Sequence, residues 1–167
     1  IEILNLSKLL KNDNVLLGDY YPSKSSSLLA YSISLNGGDK KEIRFIDIHK
    51  NEDLPDIISD VKFSEAAWNL DLGVFYKKNI NLNRIAADST NQLYYHKIGT
   101  KQSEDKLIFD NTKEGTFFRH YTTRGKLIVI EESKDETTTN FYQASLIGED
   151  FVLNKFFEDK TGNIKFL

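Results

Sequence analysis

A chain of 167 residues can bury a core, and 40% hydrophobic with 28% charged residues places it among globular sequences, not disordered ones. A formal net charge of −3 with scattered basic residues argues against nucleic acid as a partner, and the lack of cysteine removes disulfides, thiolate metal sites and a thiol nucleophile. No apolar run nears the ~20 residues of a membrane span, so no membrane partner is expected, and a cysteine-free chain suits the cytoplasm.

Leu4, Leu6, Leu9 and Leu10 predict a short helix or turn over residues 4–10. The start at Ile1, without Met or a signal pattern, reads as part of something longer. From residue 15 onward the pattern becomes one of short strands. Residues 15–21 are apolar with aromatics, and 28–35 alternate with Tyr31, Ile33 and Leu35 on one face. Asn36-Gly37-Gly38-Asp39 is the strongest turn signal, and a strand over 42–49 follows it. Leu54-Pro55-Asp56 then leads into a strand over 57–61.

The same order recurs. Strands are expected over 66–68, 74–76, 93–98 and 107–109, and again over 116–121, 127–132, 140–146 and 151–157. The aromatic-rich third strands, marked by Phe45, Tyr94-Tyr95 and Phe141-Tyr142, recur every ~45–50 residues, the size of one four-stranded propeller blade. This predicts a single all-β domain over 1–167 with approximate blades at 15–62, 63–110 and 114–160. Periodicity alone leaves an ordinary antiparallel sandwich equally open.

Residues that could carry chemistry point the same way, to no catalysis by this chain. A serine hydrolase nucleophile elbow needs Gly-x-Ser-x-Gly, because small flanking residues allow the strained strand-to-helix turn. No serine here has glycine two residues to either side. His49, His96 and His120 fall near strand ends without metal-ligand spacing, so half-exposed rings are expected, with no metal and no cofactor. Pairs such as Glu131-Glu132, Asp135-Glu136 and Glu149-Asp150 read as solvated edges or loops, since neighbouring strand residues point to opposite faces.

Two segments carry a family likeness. One holds Leu54-Pro55-Asp56, Val61-Lys62-Phe63-Ser64, Ala67-Trp68 and Gly73-Val74-Phe75-Tyr76. The other, residues 88–105, reads Asp-Ser-Thr-Asn-Gln-Leu-Tyr-Tyr-His-Lys-Ile-Gly-Thr-Lys-Gln-Ser-Glu-Asp. Together they resemble consecutive parts of the N-terminal β-propeller of the prolyl oligopeptidases, serine peptidases that cut after proline in short peptides. The resemblance implies a partial β-propeller of about three four-stranded antiparallel blades. A closed seven-bladed ring needs well over 300 residues at ~45 per blade, and the α/β-hydrolase domain that bears the family's Ser-Asp-His triad is not expected in this chain.

The resemblance also implies a site. The family's phenylalanine in the Val-Lys-Phe-Ser segment helps to form the apolar pocket for the residue upstream of proline, and Phe63 stands there; core packing within a blade is the competing reading. Members commonly carry Arg-Glu-Gly-Cys where this chain reads Glu132-Ser133-Lys134-Asp135, which implies a reversed charge at the pocket. The loop over 77–87 departs from the family as well. The implied function is a non-catalytic propeller part that covers the peptidase active site and filters short proline-containing peptides. Its partners would be the remaining blades and catalytic domain, with peptide bound only in a full-length enzyme. The alternative is a stand-alone β-rich interaction module that binds protein or peptide and self-associates through open blade edges.

Overall fold

The computed structural model describes residues 15–35, 37–79, 91–111, 117–123, 127–133, 137–147 and 150–162; the expected helix or turn over 4–10 lies outside them. Twelve strands are found among the described residues: β1 (Val15–Pro22), β2 (Leu28–Leu35), β3 (Lys41–Asp47), β4 (Glu52–Val61), β5 (Ala67–Asn69), β6 (Gly73–Asn79), β7 (Asn91–Lys97), β8 (Lys106–Asn111), β9 (Phe117–Thr123), β10 (Leu127–Ser133), β11 (Thr139–Ile147) and β12 (Asp150–Asp159). A single 3-10 turn, Gln102–Glu104, precedes β8.

Each strand pairs antiparallel with its sequence neighbour in three meanders, β1 to β4, β5 to β8 and β9 to β12. β4 and β6 meet at one bridge, Val61 with Lys78, so the first two meanders join only at a point. These are three four-stranded blades of an unclosed propeller. Short connections explain the meander: Gly37, at φ +67°, turns β2 into β3 in the left-handed region that glycine takes without penalty.

β4 starts earlier than the sequence suggests and runs through Pro55. Proline is tolerated because Asp53 pairs with Ile46 and Ile57 with Arg44, leaving 54–56 opposite Phe45 alone. The ladder is bulged there, and the missing amide costs no hydrogen bond.

The core lies between blades. Ala30, Ile43, Phe45, Ile58 and Val61 of the first blade pack against Trp68, Val74 and Tyr76 of the second. Phe75, Leu93, Tyr95 and Phe109 of the second pack against Phe118, Ile128, Ile130 and Ala144 of the third. Consecutive second-blade residues thus serve opposite interfaces, as period-two alternation requires. Gly73 permits the tight β6–β7 contact: a Cβ there would overlap the His96 carbonyl oxygen and the Tyr95 ring.

The first strands of the three blades converge. Tyr20, Tyr21 and Pro22 of β1, Ala67 and Trp68 of β5, and His120, Tyr121 and Thr122 of β9 line a cavity of about 550 Å³. This is the side a propeller turns toward its axis.

Candidate functional site

Two constellations stand out, and they do different things. The first is built around His96 on β7, which is wholly buried. Its Nδ1 lies 2.7 Å from Asp105 Oδ1 and its Nε2 lies 3.2 Å from Asp56 Oδ1. Both ring nitrogens face carboxylates, an arrangement satisfied only when both carry protons. Burial alone would push the ring toward its neutral form. The hydrogen bonds and charges of Asp105 and then Asp56 outweigh that, and the pKa is raised.

The cluster is tied down on every side. Tyr76 Oη donates to Asp105 Oδ2 at 2.7 Å, and the Gly99 amide donates to Asp56 Oδ1 at 2.5 Å. Gln102 donates to the Ser59 carbonyl and accepts from the Ser59 amide, each at 3.0 Å. The Phe45 ring stacks on His96 at 5.8 Å between centroids. Asp56, Ser59 and Phe45 belong to the first blade; Tyr76, His96, Gln102 and Asp105 belong to the second or its β7–β8 connection. Trp68 Nε1 adds another crossing bond, to the Tyr21 carbonyl at 2.7 Å. Residues of both family-like segments therefore form a lock between blades. The carboxylates sit on opposite sides of the imidazole and do not converge on a common point where a metal could bind.

The second constellation is around Phe63, on the 62–66 connection between β4 and β5. Phe63 is 58% exposed with φ +48°, a left-handed backbone that an aromatic residue rarely adopts. Its neighbour fixes it: Ser64 Oγ accepts from the Lys77 amide at 2.7 Å and donates to the Glu65 carbonyl at 2.9 Å. Phe63 is thus held out of the core. With Glu65, Lys77, Arg119, His120, Tyr121 and Glu131 it lines a cavity of about 310 Å³.

On the far wall, Arg119 of β9 pairs directly across the ladder with Glu131 of β10. Arg119 Nε and Nη2 both donate to Glu131 Oε2, and Tyr121 Oη donates to Oε1 at 2.9 Å. Burial, then the bond to Glu131, pushes the Tyr121 hydroxyl up to about 12, so it stays a donor at neutral pH. His120 is buried with Nε2 3.3 Å from the Phe75 carbonyl. Burial and then the Lys77 charge lower its pKa to about 4, so the ring is neutral.

A model of the prolyl oligopeptidase N-terminal beta-propeller domain matches residues 1–163. The chain belongs to that family. It is 31% identical over 123 residues to the prolyl endopeptidase of Elizabethkingia miricola, covering 71% of this chain and 17% of that protein. With the prolyl endopeptidase of Elizabethkingia meningoseptica it is 32% identical over 125 residues, with the same coverage. The chain therefore spans about a sixth of the length of these relatives. Among solved structures, a post-proline cleaving enzyme from Rickettsia typhi superposes with a TM-score of 0.74 at 18% identity, over 95% of this chain and 26% of that one. Prolyl oligopeptidase B from Galerina marginata, bound to a 35mer hydrolysis and macrocyclization substrate, gives 0.73 at 22% identity, over 89% and 23%. At these identities the superpositions speak for the fold.

Within this prolyl oligopeptidase propeller several expectations change. His96 and His120 are buried, not half-exposed, because each faces an adjoining blade; His49 is exposed in the turn after β3. Glu131 and Glu132 do point to opposite faces, yet both are buried rather than solvated. Glu132 accepts from Tyr142 Oη at 2.9 Å and Asn140 Nδ2 at 3.0 Å, and it is its neighbour Glu131 that lines the Phe63 cavity. Asp135-Glu136 and Glu149 lie outside the described residues, as do residues 80–87 of the departing loop; Lys77, Lys78 and Asn79 end β6. Sequence reasoning missed the Asp56–His96–Asp105 cluster and the Arg119–Glu131–Tyr121 group. The signal for the first was the presence of His96 and Asp105 together inside the family-like run. Nothing in the sequence pointed to the second, whose strands pair through a register that only folding reveals.

Proposed function

We propose that this chain is a non-catalytic part of a prolyl-oligopeptidase-type serine peptidase, covering its active site and helping to admit only short proline-containing peptides. Phe63 would contact the peptide residue upstream of proline. The observation that carries this reading is the placement of Phe63: a large apolar side chain is held out of the core, in a costly backbone conformation, at the wall of a cavity. Core packing within the blade does not fit that exposure.

The lining residues suit binding without covalent chemistry, since they include no serine or other activated nucleophile. Both His96 nitrogens are occupied by carboxylates, leaving no lone pair to serve as a general base. In the whole enzyme the remaining blades and the catalytic domain would be its partners, in the cytoplasm, as the lack of cysteine suggests. The purified chain should not release fluorophore from a Gly-Pro reporter peptide. Serine-dependent turnover that persists through repeated purification would overturn the proposal.

A second reading, a self-associating interaction module, draws on β12, where Val152, Phe156 and Phe157 are all at least 38% exposed. Light scattering decides its weight: mass that grows with concentration favours it, and a constant monomer mass removes it.

A further inference from the structure

We propose that Arg119 is a specificity-determining residue of the Phe63 cavity and selects an acidic side chain on the peptide that lies against Phe63. The inference rests on the reading of Phe63 given above and concerns a different residue. Arg119 and Glu131 are directly opposed across β9 and β10, and their exposures are very unequal: the Glu131 side chain is 6% exposed and that of Arg119 is 65%. The carboxylate is therefore the buried anchor and the guanidinium the presented group.

Both Glu131 oxygens are already occupied, Oε2 by Arg119 and Oε1 by Tyr121. With its carboxylate 6% exposed behind those partners, Glu131 offers little to a lysine or arginine of a ligand, which meets the Arg119 guanidinium first. The guanidinium is not exhausted in the same way. Nε and Nη2 are turned to Glu131, while among the described residues no acceptor meets Nη1, so the other edge of the planar fork can take a second one. A fork fixed by one carboxylate and open to another loses little side-chain freedom on binding, which favours a second carboxylate over a neutral amide.

The rest of the lining is consistent with this. Lys77 contributes a second cation and Glu65 an exposed carboxylate, so selectivity comes from the oriented guanidinium and not from net charge. His120 contributes no charge at neutral pH. Phe63 supplies an apolar surface for the methylene stem of a glutamate whose carboxylate reaches Arg119.

The test is a titration of the isotope-labelled 167-residue chain with acetyl-Glu-Ala-Pro-amide, acetyl-Gln-Ala-Pro-amide and acetyl-Lys-Ala-Pro-amide, followed by amide chemical shifts. The glutamate peptide should bind about fivefold more tightly than the glutamine peptide, a modest ratio for a charge-assisted bond at a half-exposed site. The lysine peptide should bind most weakly. The paired change Arg119→Met with Glu131→Gln, which leaves no buried carboxylate unpaired, should bring the three affinities together. If that double variant fails to fold, Arg119→Lys keeps the anchor paired and should reduce the glutamate preference through loss of the fork. Phe63→Ala should weaken all three peptides in equal proportion. Equal affinities with shifts still centred on Phe63 would overturn the role of Arg119 and leave the cavity reading standing. Shifts that avoid Phe63, or no binding at all, would overturn the cavity reading and the role of Arg119 with it.

Discussion

Two buried imidazoles in this chain respond to pH in opposite directions because their neighbours differ. His96 lies between Asp105 and Asp56, and its raised pKa means that the folded state holds its proton more tightly than the unfolded chain does. Its contribution to stability is complete below about pH 6.5, the unfolded value, and is lost as pH rises through the folded value. His120 faces a carbonyl, with Lys77 as its charged neighbour, and its pKa is lowered to about 4. Its contribution is complete above about pH 6.5 and is lost as pH falls toward 4, a difference on the order of 3 kcal/mol. Urea unfolding from pH 4 to 9 should separate them. His96→Gln should flatten the alkaline limb of the stability profile, and His120→Gln the acid limb. At Phe63, replacement by glycine should leave stability unchanged or raise it by up to about 1 kcal/mol, since a left-handed residue is relieved and little buried area is lost. A loss of several kcal/mol in urea would place Phe63 in the core after all.

Among the elements, β6 is the most constrained, because its alternate residues serve two interfaces and its start lies against β7. Gly73→Ala should cost about 1–3 kcal/mol, as the added methyl meets the His96 carbonyl oxygen, which a side-chain shift cannot relieve, as well as the Tyr95 ring. Phe75→Ala removes a ring buried between the second and third blades and should cost about 3–5 kcal/mol. Denaturant midpoints at constant slope check both; a Gly73→Ala variant as stable as the parent would show that β6 and β7 can move apart. The strands themselves were largely legible, because alternation such as Ile43, Phe45 against Glu42, Arg44 reports which face is buried more deeply. The start of β4 was not. Proline reads locally as a strand breaker, and the bulge that absorbs Pro55 depends on the partner residues of β3.

At the scale of the molecule, the blades are held together by side chains more than by backbone, since β4 and β6 share one bridge. The first interface joins an apolar cluster to the Asp56–His96–Asp105 lock, with the single tryptophan, Trp68, inside it. Trp68 emission therefore reports mainly on that interface, with β9 of the third blade as its other neighbour. Asp56→Asn weakens the lock without emptying the core, and Trp68 emission should then change at lower urea than the far-ultraviolet dichroism of the whole chain. Coincident transitions in that variant would mean that the three blades unfold as one unit whatever the lock contributes.

The sequence by itself determined the all-β class, the repeated four-strand pattern and the family, because local alternation, turn chemistry and a long motif are all written along the chain. It did not determine what the motif is for. His96, Gly99, Gln102 and Asp105 acquire their role only where Asp56 and Ser59 of another blade meet them. Arg119 becomes more than a surface charge only where the β9–β10 register sets it on Glu131 beside Phe63. Polar pairing across blades depends on long-range register and burial, and those exist only in the folded molecule.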